Sequence, residues 1–408
     1  MKNKDIKYLK NIDKPPAVLA GYYPIIALGA IRSFAKENIP TFLISYKKSE
    51  AFFSKYTTGF ICPDPLTDEG GFIEYLIDFG KNLETKGVLF PITDREILPT
   101  LKWKKKLEKY FFIPMADLNI VDQLFNKKKL YKLLKELNIN HPKTYFPENI
   151  SDVEQLRKRI QYPCIIKPTY HNKILDELGV KLFKVDSKEE LVEKTKRFFQ
   201  NNSDFIIQEF VPSIDSDFYH LGYFIDKSNS YKISFPFHRV RGFPLNKGGC
   251  SFVENIDQPE LEQIIEYIIK EIKFFGVLEA EFVKDKRNQS FKLIEINPRF
   301  WKTISYPSSR GLNFPVFAYN SAIGISVSEN HLNEIDMKWI DFRTDIISGL
   351  QNVIKKNISL QSWLRSYQCK KELSVFSRND PLPFLVLIAN GIFGSIPYLL
   401  HFNTNAFF

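Results

Sequence analysis

The chain has 408 residues, of which 44 % are hydrophobic and 25 % charged, as expected for a soluble globular protein of two or three domains. Its formal net charge is +10, yet no zinc-finger, helix-turn-helix or basic–aromatic pattern occurs, so nucleic acid is not the expected partner. The 4 cysteines form no CxxC pair and the 6 histidines show no ligand spacing, which argues against a disulfide scaffold and against a zinc enzyme. With no signal-peptide pattern, we expect a cytoplasmic location.

The first elements of the chain form a strand–helix–strand unit. Residues 17–20 and 41–45 are short apolar runs, and apolar residues recur at helical spacing between 25 and 34. This arrangement predicts a parallel sheet. The intervening loop contains Gly21 and Gly29 but lacks the full glycine pattern of a dinucleotide site, which argues against a nicotinamide-dependent dehydrogenase.

A further buried strand is predicted at 87–91. It ends at a polar segment with Thr93, Asp94 and Arg95. Ligands collect at the strand ends of open α/β sheets, so Asp94 or Arg95 could touch a substrate. A helix N-cap role for Thr93 or Asp94 is the alternative.

A second unit begins with an amphipathic helix. Leucines recur at helical spacing between 130 and 137, shortly after Asn126 and Lys127. The run 162–168 then predicts a short buried strand with Lys167 near its end. A buried ammonium is costly without a partner, and either a phosphate or a structural carboxylate would satisfy it.

Two alternating segments further along the chain predict a hairpin with one acidic face. Glu279 and Glu281 lie two residues apart, as do Glu295 and Asn297, and the polar run 284–290 separates the two strands. If the faces match, three carboxylates and an amide crowd together, and a hard cation such as Mg2+ would relieve their repulsion. The alternative is a solvated strand face with scattered acids.

These motifs, in this order, resemble the ATP-grasp superfamily. Within it they are most similar to the carbamoyl-phosphate-synthase-like group and to carboxylate–amine ligases of the D-aspartate ligase kind. The resemblance covers about residues 15 to 325. The motifs that carry it are Asn126-Lys127, YPCIIKP, IIQEFVP, GVLEAEF and IEINPRFW.

The resemblance implies a fold of mixed α/β and α+β class. It would comprise an N-terminal parallel α/β domain at 1–118 and an ATP-grasp domain at 119–325. The latter would contain a small mobile central subdomain at about 150–212 and a C-terminal antiparallel-sheet catalytic subdomain. A helical C-terminal appendage would follow at 326–408, because 339–350 and 360–366 look helical and amphipathic.

The resemblance also implies roles for individual residues. Expected contacts are Lys127 and Lys167 with the nucleotide phosphates, Gln208, Glu209, Phe210 and Val211 with adenine, Asp217 with the ribose, Glu281, Glu295 and Asn297 with the metal ion, and Arg299 with the transferred phosphate. Arg241, with Arg239 nearby, falls where a second basic catalytic contact is common; a solvated strand edge is the alternative. Glu279 occupies a position that is often acidic without binding the metal.

The function implied is an ATP- and Mg2+-dependent ligase (Mn2+ being the alternative ion). It would activate a small-molecule carboxylate as an acyl phosphate for attack by an amine. One departure weighs against lid closure: the family's phosphate-covering loop is typically glycine-rich, whereas 168–181 contains only Gly179. This departure leaves open a second function, a nucleotide-binding sensor or scaffold without turnover.

The tail at 381–400 contains no Asp, Glu, Lys or Arg, but prolines, glycines and an asparagine interrupt it. Three arrangements remain open for it: a membrane-spanning helix, peripheral contact with a membrane surface, or burial against the protein's own domains. A homodimer is a common arrangement in the family.

Overall fold

The computed structural model describes residues 14–170, 182–246, 248–326, 332–333 and 335–394. These residues form a five-stranded, a four-stranded and a seven-stranded sheet, with helices packed around them. The first sheet is parallel and the other two are mainly antiparallel. The mixed α/β and α+β class predicted from the sequence is therefore confirmed. The predicted domain boundaries at 118 and 325 stay predictions.

The N-terminal sheet has the strand order β3-β2-β1-β4-β5, with all pairs parallel. Its central strands are buried along their whole length, as a parallel sheet covered on both faces requires. The elements are β1 Ala17–Ala20, α1 Pro24–Ala35, β2 Thr41–Ser45, β3 Thr58–Ile61, α2 Glu69–Lys81, β4 Gly87–Pro91, α3 Asp94–Lys102, α4 Lys104–Leu107 and β5 Phe111–Phe112.

The central sheet is antiparallel and has the order β6-β9-β7-β8. Its elements, with the helices before it, are α5 Leu118–Phe125, α6 Lys127–Glu136, β6 Thr144–Tyr145, α7 Ile150–Leu156, β7 Cys164–Pro168, β8 Phe183–Val185, α8 Lys188–Gln200 and β9 Phe205–Glu209. On β7, Cys164 and Ile166 enter a small separate core. Strand alternation therefore places Lys167 on the opposite face.

The third sheet has the order β14-β13-β10-β11-β12-β15-β16 and is antiparallel except for the last pair. It contains β10 Phe218–Ile225, β11 Lys232–Phe243, β12 Gly249–Asn255, β13 Gly276–Asp285, β14 Ser290–Asn297, β15 Met337–Ile340 and β16 Lys370–Leu373. Helix α9, Pro259–Ile272, covers one face with an isoleucine stripe that packs in the same core as Leu278 and Ala280 of β13. The opposite face remains available for the polar side chains.

The C-terminal segment contains α10 Ser305–Ser309, α11 Phe314–Ala322, α12 Phe342–Ile354, α13 Leu360–Ser366 and α14 Leu382–Gly394. The helix predicted at 339–350 begins later, at Phe342, because Trp339 is buried in β15 and pairs with Val253 of β12. Strands β15 and β16 were not predicted. They add two strands to the third sheet from a part of the chain that follows residue 325, where the resemblance ends. No helix among the described residues is long and apolar enough to cross a bilayer.

Candidate active site

The predicted acidic face forms where β13 pairs with β14. Glu279 lies directly opposite Asn297, and Glu281 lies directly opposite Glu295. Cross-strand partners share a face of the sheet, so all four side chains project from the same surface. Ala280 and Phe282 alternate with the two acids of β13 and are fully buried on the other face. The hairpin predicted from alternation is therefore observed, and the condition that the two acidic faces match is met.

Lys127 reaches this face from the start of helix α6. The Asn126 side chain caps the helix by accepting a hydrogen bond from the Lys129 backbone, so Lys127 is the first helical residue. Its Nζ lies 3.0 Å from Oε1 of Glu295. The Tyr131 hydroxyl, one turn later, donates to the Ile294 carbonyl at 2.5 Å and holds the helix on β14.

Lys167 approaches the same cleft from the central sheet. Its Nζ donates to Oε1 of the buried Gln208 at 3.0 Å, and no carboxylate among the described residues forms an ion pair with it. Burial, followed by repulsion from Lys127, lowers the pKa of Lys167 to about 8. Attraction by Glu295 and Glu281 opposes this decrease without cancelling it. The site thus brings together two lysines that repel each other, an arrangement that an anionic ligand would stabilise.

Glu295 is ionised in this environment. Burial by itself would raise the pKa of its carboxyl group, but the charge and hydrogen bond of Lys127, together with more distant cations, lower that pKa to about 2. Lys167 and Arg299 act in the same direction at longer range. Glu295 is therefore the acidic residue on which the cationic side chains of the site converge.

Arg299 connects the acidic face to the N-terminal domain. Its Nε donates to Oδ1 of Asp94 at 2.6 Å, and its Nη2 donates to Oδ1 of Asn297 at 3.3 Å. Asp94, the first residue of α3, makes an ion pair with Arg299, and Thr93 occupies the N-cap position of that helix. Contact of Asp94 with a substrate stays a prediction. Arg95 makes an ion pair with Asp64, within the N-terminal domain.

His220 was not predicted as part of the site. It lies opposite Glu281 in the β10–β13 pairing, and its Nδ1 is 3.2 Å from Oε1 of Glu279. Cys250 lies behind it, with Sγ 3.5 Å from Nε2. Burial opposes protonation of His220, but Cys250 and Glu279 raise its pKa well above the ordinary value. Sequence reasoning missed His220 because only the strand order brings β10 beside β13.

Several predicted ligand residues have protein partners in this structure. Lys286 binds the Asp217 carboxylate at 2.9 Å, and Arg287 and Lys292 bind Glu209. The Lys184 ammonium lies 5.6 Å from the centre of the Phe210 ring, and Val211 is buried. These contacts involve side chains, whereas the prediction for 208–211 concerns main-chain groups. Backbone recognition of adenine by this segment therefore stays a prediction.

Arg241 has contacts that differ from the prediction. Its guanidinium binds both carboxylate oxygens of Asp345, at 2.9 and 2.8 Å, and Ser366 at 3.1 Å. Arg239 is also buried, against Asp215 and the Phe218 ring. These contacts favour a structural role for Arg241 instead of the predicted catalytic one. No local pattern indicates that the later helix α12 packs against β11.

The oxygen donors suit a hard cation, although the described residues form no ready-made metal cluster. Within the described part of the chain, no three His, Cys, Asp or Glu side chains converge as metal ligands. The side chain of Glu281 makes no hydrogen bond or ion pair with another described residue, so its carboxylate remains available. Glu295 stands opposite it with Asn297 on the same face. Two carboxylates and an amide oxygen are ligands that Mg2+ accepts. The residues present therefore fit a magnesium ion.

Comparison with known proteins supports a common architecture. The chain is 23 % identical over 224 residues to D-aspartate ligase from Enterococcus faecium (strain Aus0004), an alignment that covers 52 % of this chain and 53 % of that protein. It is 25 % identical over 204 residues to the carbamoyl phosphate synthase large chain from Pyrococcus furiosus, covering 47 % of this chain and 18 % of that protein. The chain thus spans about half the length of the first relative and less than a fifth of the second.

Among solved structures, N5-carboxyaminoimidazole ribonucleotide synthetase in its ADP complex superimposes with a TM-score of 0.62 at 12 % identity, covering 85 % of this chain and 87 % of that one. No known family profile matches the chain. The sheet architecture and these likenesses agree with the resemblance seen in the sequence motifs. The chain therefore shares the fold of this solved structure, and its motifs resemble those of the ATP-grasp superfamily.

Proposed function

We propose that the protein is an ATP- and Mg2+-dependent ligase that joins a carboxylate to an amine. One observation carries the proposal: Lys127 and Lys167 face the acidic side of the β13–β14 hairpin across one cleft. The phosphates of a nucleoside triphosphate need cationic side chains, and the metal ion bound to those phosphates needs oxygen ligands beside the cationic side chains. The two sets of residues are adjacent here, as Lys127 and Glu295 are 3.0 Å apart.

Each residue has a distinct part in the proposed site. Lys127 and Lys167 would bind phosphate oxygens, and the backbone of 208–211 would bind adenine. Glu281, Glu295 and Asn297 would hold Mg2+, with Mn2+ as an alternative. When bound, the ion would neutralise phosphate charge. Arg299, held by Asp94 at the edge of the cleft, is positioned to stabilise charge on the transferred phosphoryl group.

The proposed reaction has two steps. A carboxylate oxygen of the substrate attacks the γ-phosphorus, the bond to the β–γ bridging oxygen breaks, and ADP leaves an acyl phosphate behind. An amine then attacks the acyl carbon, inorganic phosphate departs, and the amine loses a proton to give an amide. Neither step requires a protein nucleophile, because phosphoryl transfer depends mainly on positioning and charge neutralisation. The likeness to D-aspartate ligase favours an amino acid as one substrate.

Release of inorganic phosphate tests the proposal. Wild-type protein with ATP, Mg2+ and pooled amino acids and small acids should release phosphate, and omission of Mg2+ or of the pool should suppress it. Glu295→Gln should reduce the rate by at least about a hundredfold, because it removes a charge that the metal needs. Glu154→Gln, at an exposed ion pair on α7, is the matched control and should keep the full rate.

A nucleotide-binding protein without turnover is the second candidate. The glycine-poor sequence 168–181 favours it, although residues 171–181 lie outside the described structure. Tight binding of ATP without ADP formation across the whole pool would support this candidate and overturn the ligase proposal. The cytoplasmic location and the homodimer that were expected from the sequence remain proposals.

A further inference from the structure

Helix α12 has its polar side towards the protein and its apolar side towards solvent. A surface helix ordinarily buries an apolar stripe and exposes polar residues. The buried residues of α12 are Asp345, Ser348, Gly349 and Asn352. Its outward residues are Ile346, Leu350 and Ile354, which are 51 %, 48 % and 71 % exposed. Four-residue spacing places these three side chains along one side of the helix.

Helix α13 adds apolar residues next to this helix. None of its residues is buried, and Leu360 and Leu364 are more than half exposed. The two helices touch at Gly349, where an added Cβ would come within 2.1 Å of the Trp363 ring. We call the exposed side chains of Ile346, Leu350, Ile354, Leu360 and Leu364 the α12–α13 surface.

The charged residues of the segment that carries the α12–α13 surface have one sign. Residues 346–371 contain no Asp or Glu. Their basic residues are all exposed, and none forms an ion pair within the described part of the chain: Lys355, Lys356, Arg365, Lys370 and Lys371. The acids at the start of α12, Asp341 and Asp345, are buried and paired with Lys302 and Arg241. The exposed leucine and isoleucine side chains thus belong to a segment whose charged residues are all basic.

We propose that the α12–α13 surface binds an anionic lipid bilayer. Amphipathic helices that lie in a membrane interface combine an apolar side with lysine and arginine, and clusters of four to eight such residues favour anionic headgroups. The centres of protein–protein interfaces are instead depleted of lysine, which makes a protein partner the weaker match. This surface is distinct from the tail at 381–400, through which the sequence suggested membrane contact.

Vesicle flotation with the full-length protein tests the proposal. We expect the protein to float with vesicles of phosphatidylcholine containing phosphatidylglycerol, to stay unbound with phosphatidylcholine alone, and to be released by high salt. The paired change Leu350→Gln and Ile354→Gln should lower the partition coefficient by about tenfold or more, because it removes apolar groups that would insert. Lys355→Glu with Lys356→Glu should lower it similarly.

The matched control carries Leu66→Gln and Ile150→Gln, which alter comparably exposed residues elsewhere. It should float like the wild type, and circular dichroism should show that all variants are folded. Equal binding to neutral vesicles would overturn the proposal, as would unchanged flotation of both paired variants. Concentration-dependent dimerisation in light scattering, lost in the Leu350→Gln and Ile354→Gln protein and without vesicle binding, would assign the surface to a second copy instead.

Discussion

Most charged side chains of the cleft have a partner of opposite charge before any ligand binds, but Lys167 has none within the described parts of the chain. Lys127 neutralises Glu295 and Asp94 neutralises Arg299, whereas the partner of Lys167 among the described residues is the amide of Gln208. Lys167 is therefore the residue whose charge is least compensated. An arriving phosphate would provide the counter-charge that it lacks, whereas a metal ion would compete with Lys127 for Glu295. This difference makes Lys167 the most direct reporter of nucleotide binding.

The affinity for MgADP should depend on the protonation of Lys167. Its pKa of about 8 without ligand means that it loses its proton as pH rises through that value. A bound diphosphate favours the charged form, so the Kd should increase above pH 8, by up to about tenfold per pH unit. Isothermal titration calorimetry between pH 7 and 9.5 would measure this change.

The control is Lys167→Arg, because a guanidinium stays charged throughout this range. The pH dependence above pH 8 should then largely disappear, whatever the absolute affinity. A flat profile for the wild type would contradict the assignment of Lys167 to the phosphates.

At the scale of elements, strand β10 shapes the acidic face from beside it. Gly222 lies opposite Glu279 of β13, and Trp301, which follows β14, packs against it. Trp301 is fully buried, and an added Cβ on Gly222 would lie 2.3 Å from its ring. A residue with no side chain is needed here because the indole occupies the space above the strand.

Gly222→Ala should therefore destabilise the protein by about 1–3 kcal/mol through overpacking. Gly249→Ala is the matched control, since an added Cβ at that strand glycine meets nothing within 4 Å. Chemical denaturation monitored by tryptophan fluorescence would compare the two free energies of unfolding. Equal values for the two variants would show that Trp301 moves aside without cost.

At the scale of the whole molecule, the C-terminal segment is anchored to the N-terminal domain. Asp380 is buried and accepts hydrogen bonds from Arg32 of α1 at 3.0 Å and from Ser54 at 2.8 Å. The Lys55 backbone N–H donates to its other oxygen at 3.1 Å. One carboxylate thus connects the start of α14 to the opposite end of the chain, so the C-terminal helices are expected to share in the stability of the first domain.

Asp380→Ala should lower the free energy of unfolding by about 3 kcal/mol, because it leaves the partly buried Arg32 without its partner. Glu154→Ala, which breaks the exposed Arg157 pair, should change it by less than about 1 kcal/mol. Thermal unfolding followed by circular dichroism would compare the two. A small effect of Asp380→Ala would indicate that the C-terminal segment unfolds separately.

Local patterns in the sequence indicated the first sheet, the Lys167 strand and the acidic hairpin, but not strands β15 and β16. Alternation at period two predicts that Glu279 and Glu281 share a face of one strand and that Glu295 and Asn297 share a face of the next. The choice of Glu281, Glu295 and Asn297 as metal ligands came from the resemblance to a known superfamily. The Lys167 strand, the α6 helix and the parallel N-terminal sheet follow from equally local signals. The motifs and their order were also enough to indicate the ATP-grasp fold.

Only the tertiary structure decided which distant residues meet. The pairing of β10 with β13 brings His220 to Glu279, the start of α3 brings Asp94 to Arg299, and the packing of α12 brings Asp345 to Arg241. These contacts depend on strand order and helix docking, which a short-range pattern does not encode. Chain-local periodicity thus determined the faces of each element, whereas long-range packing of the sheets determined the partners of each charge.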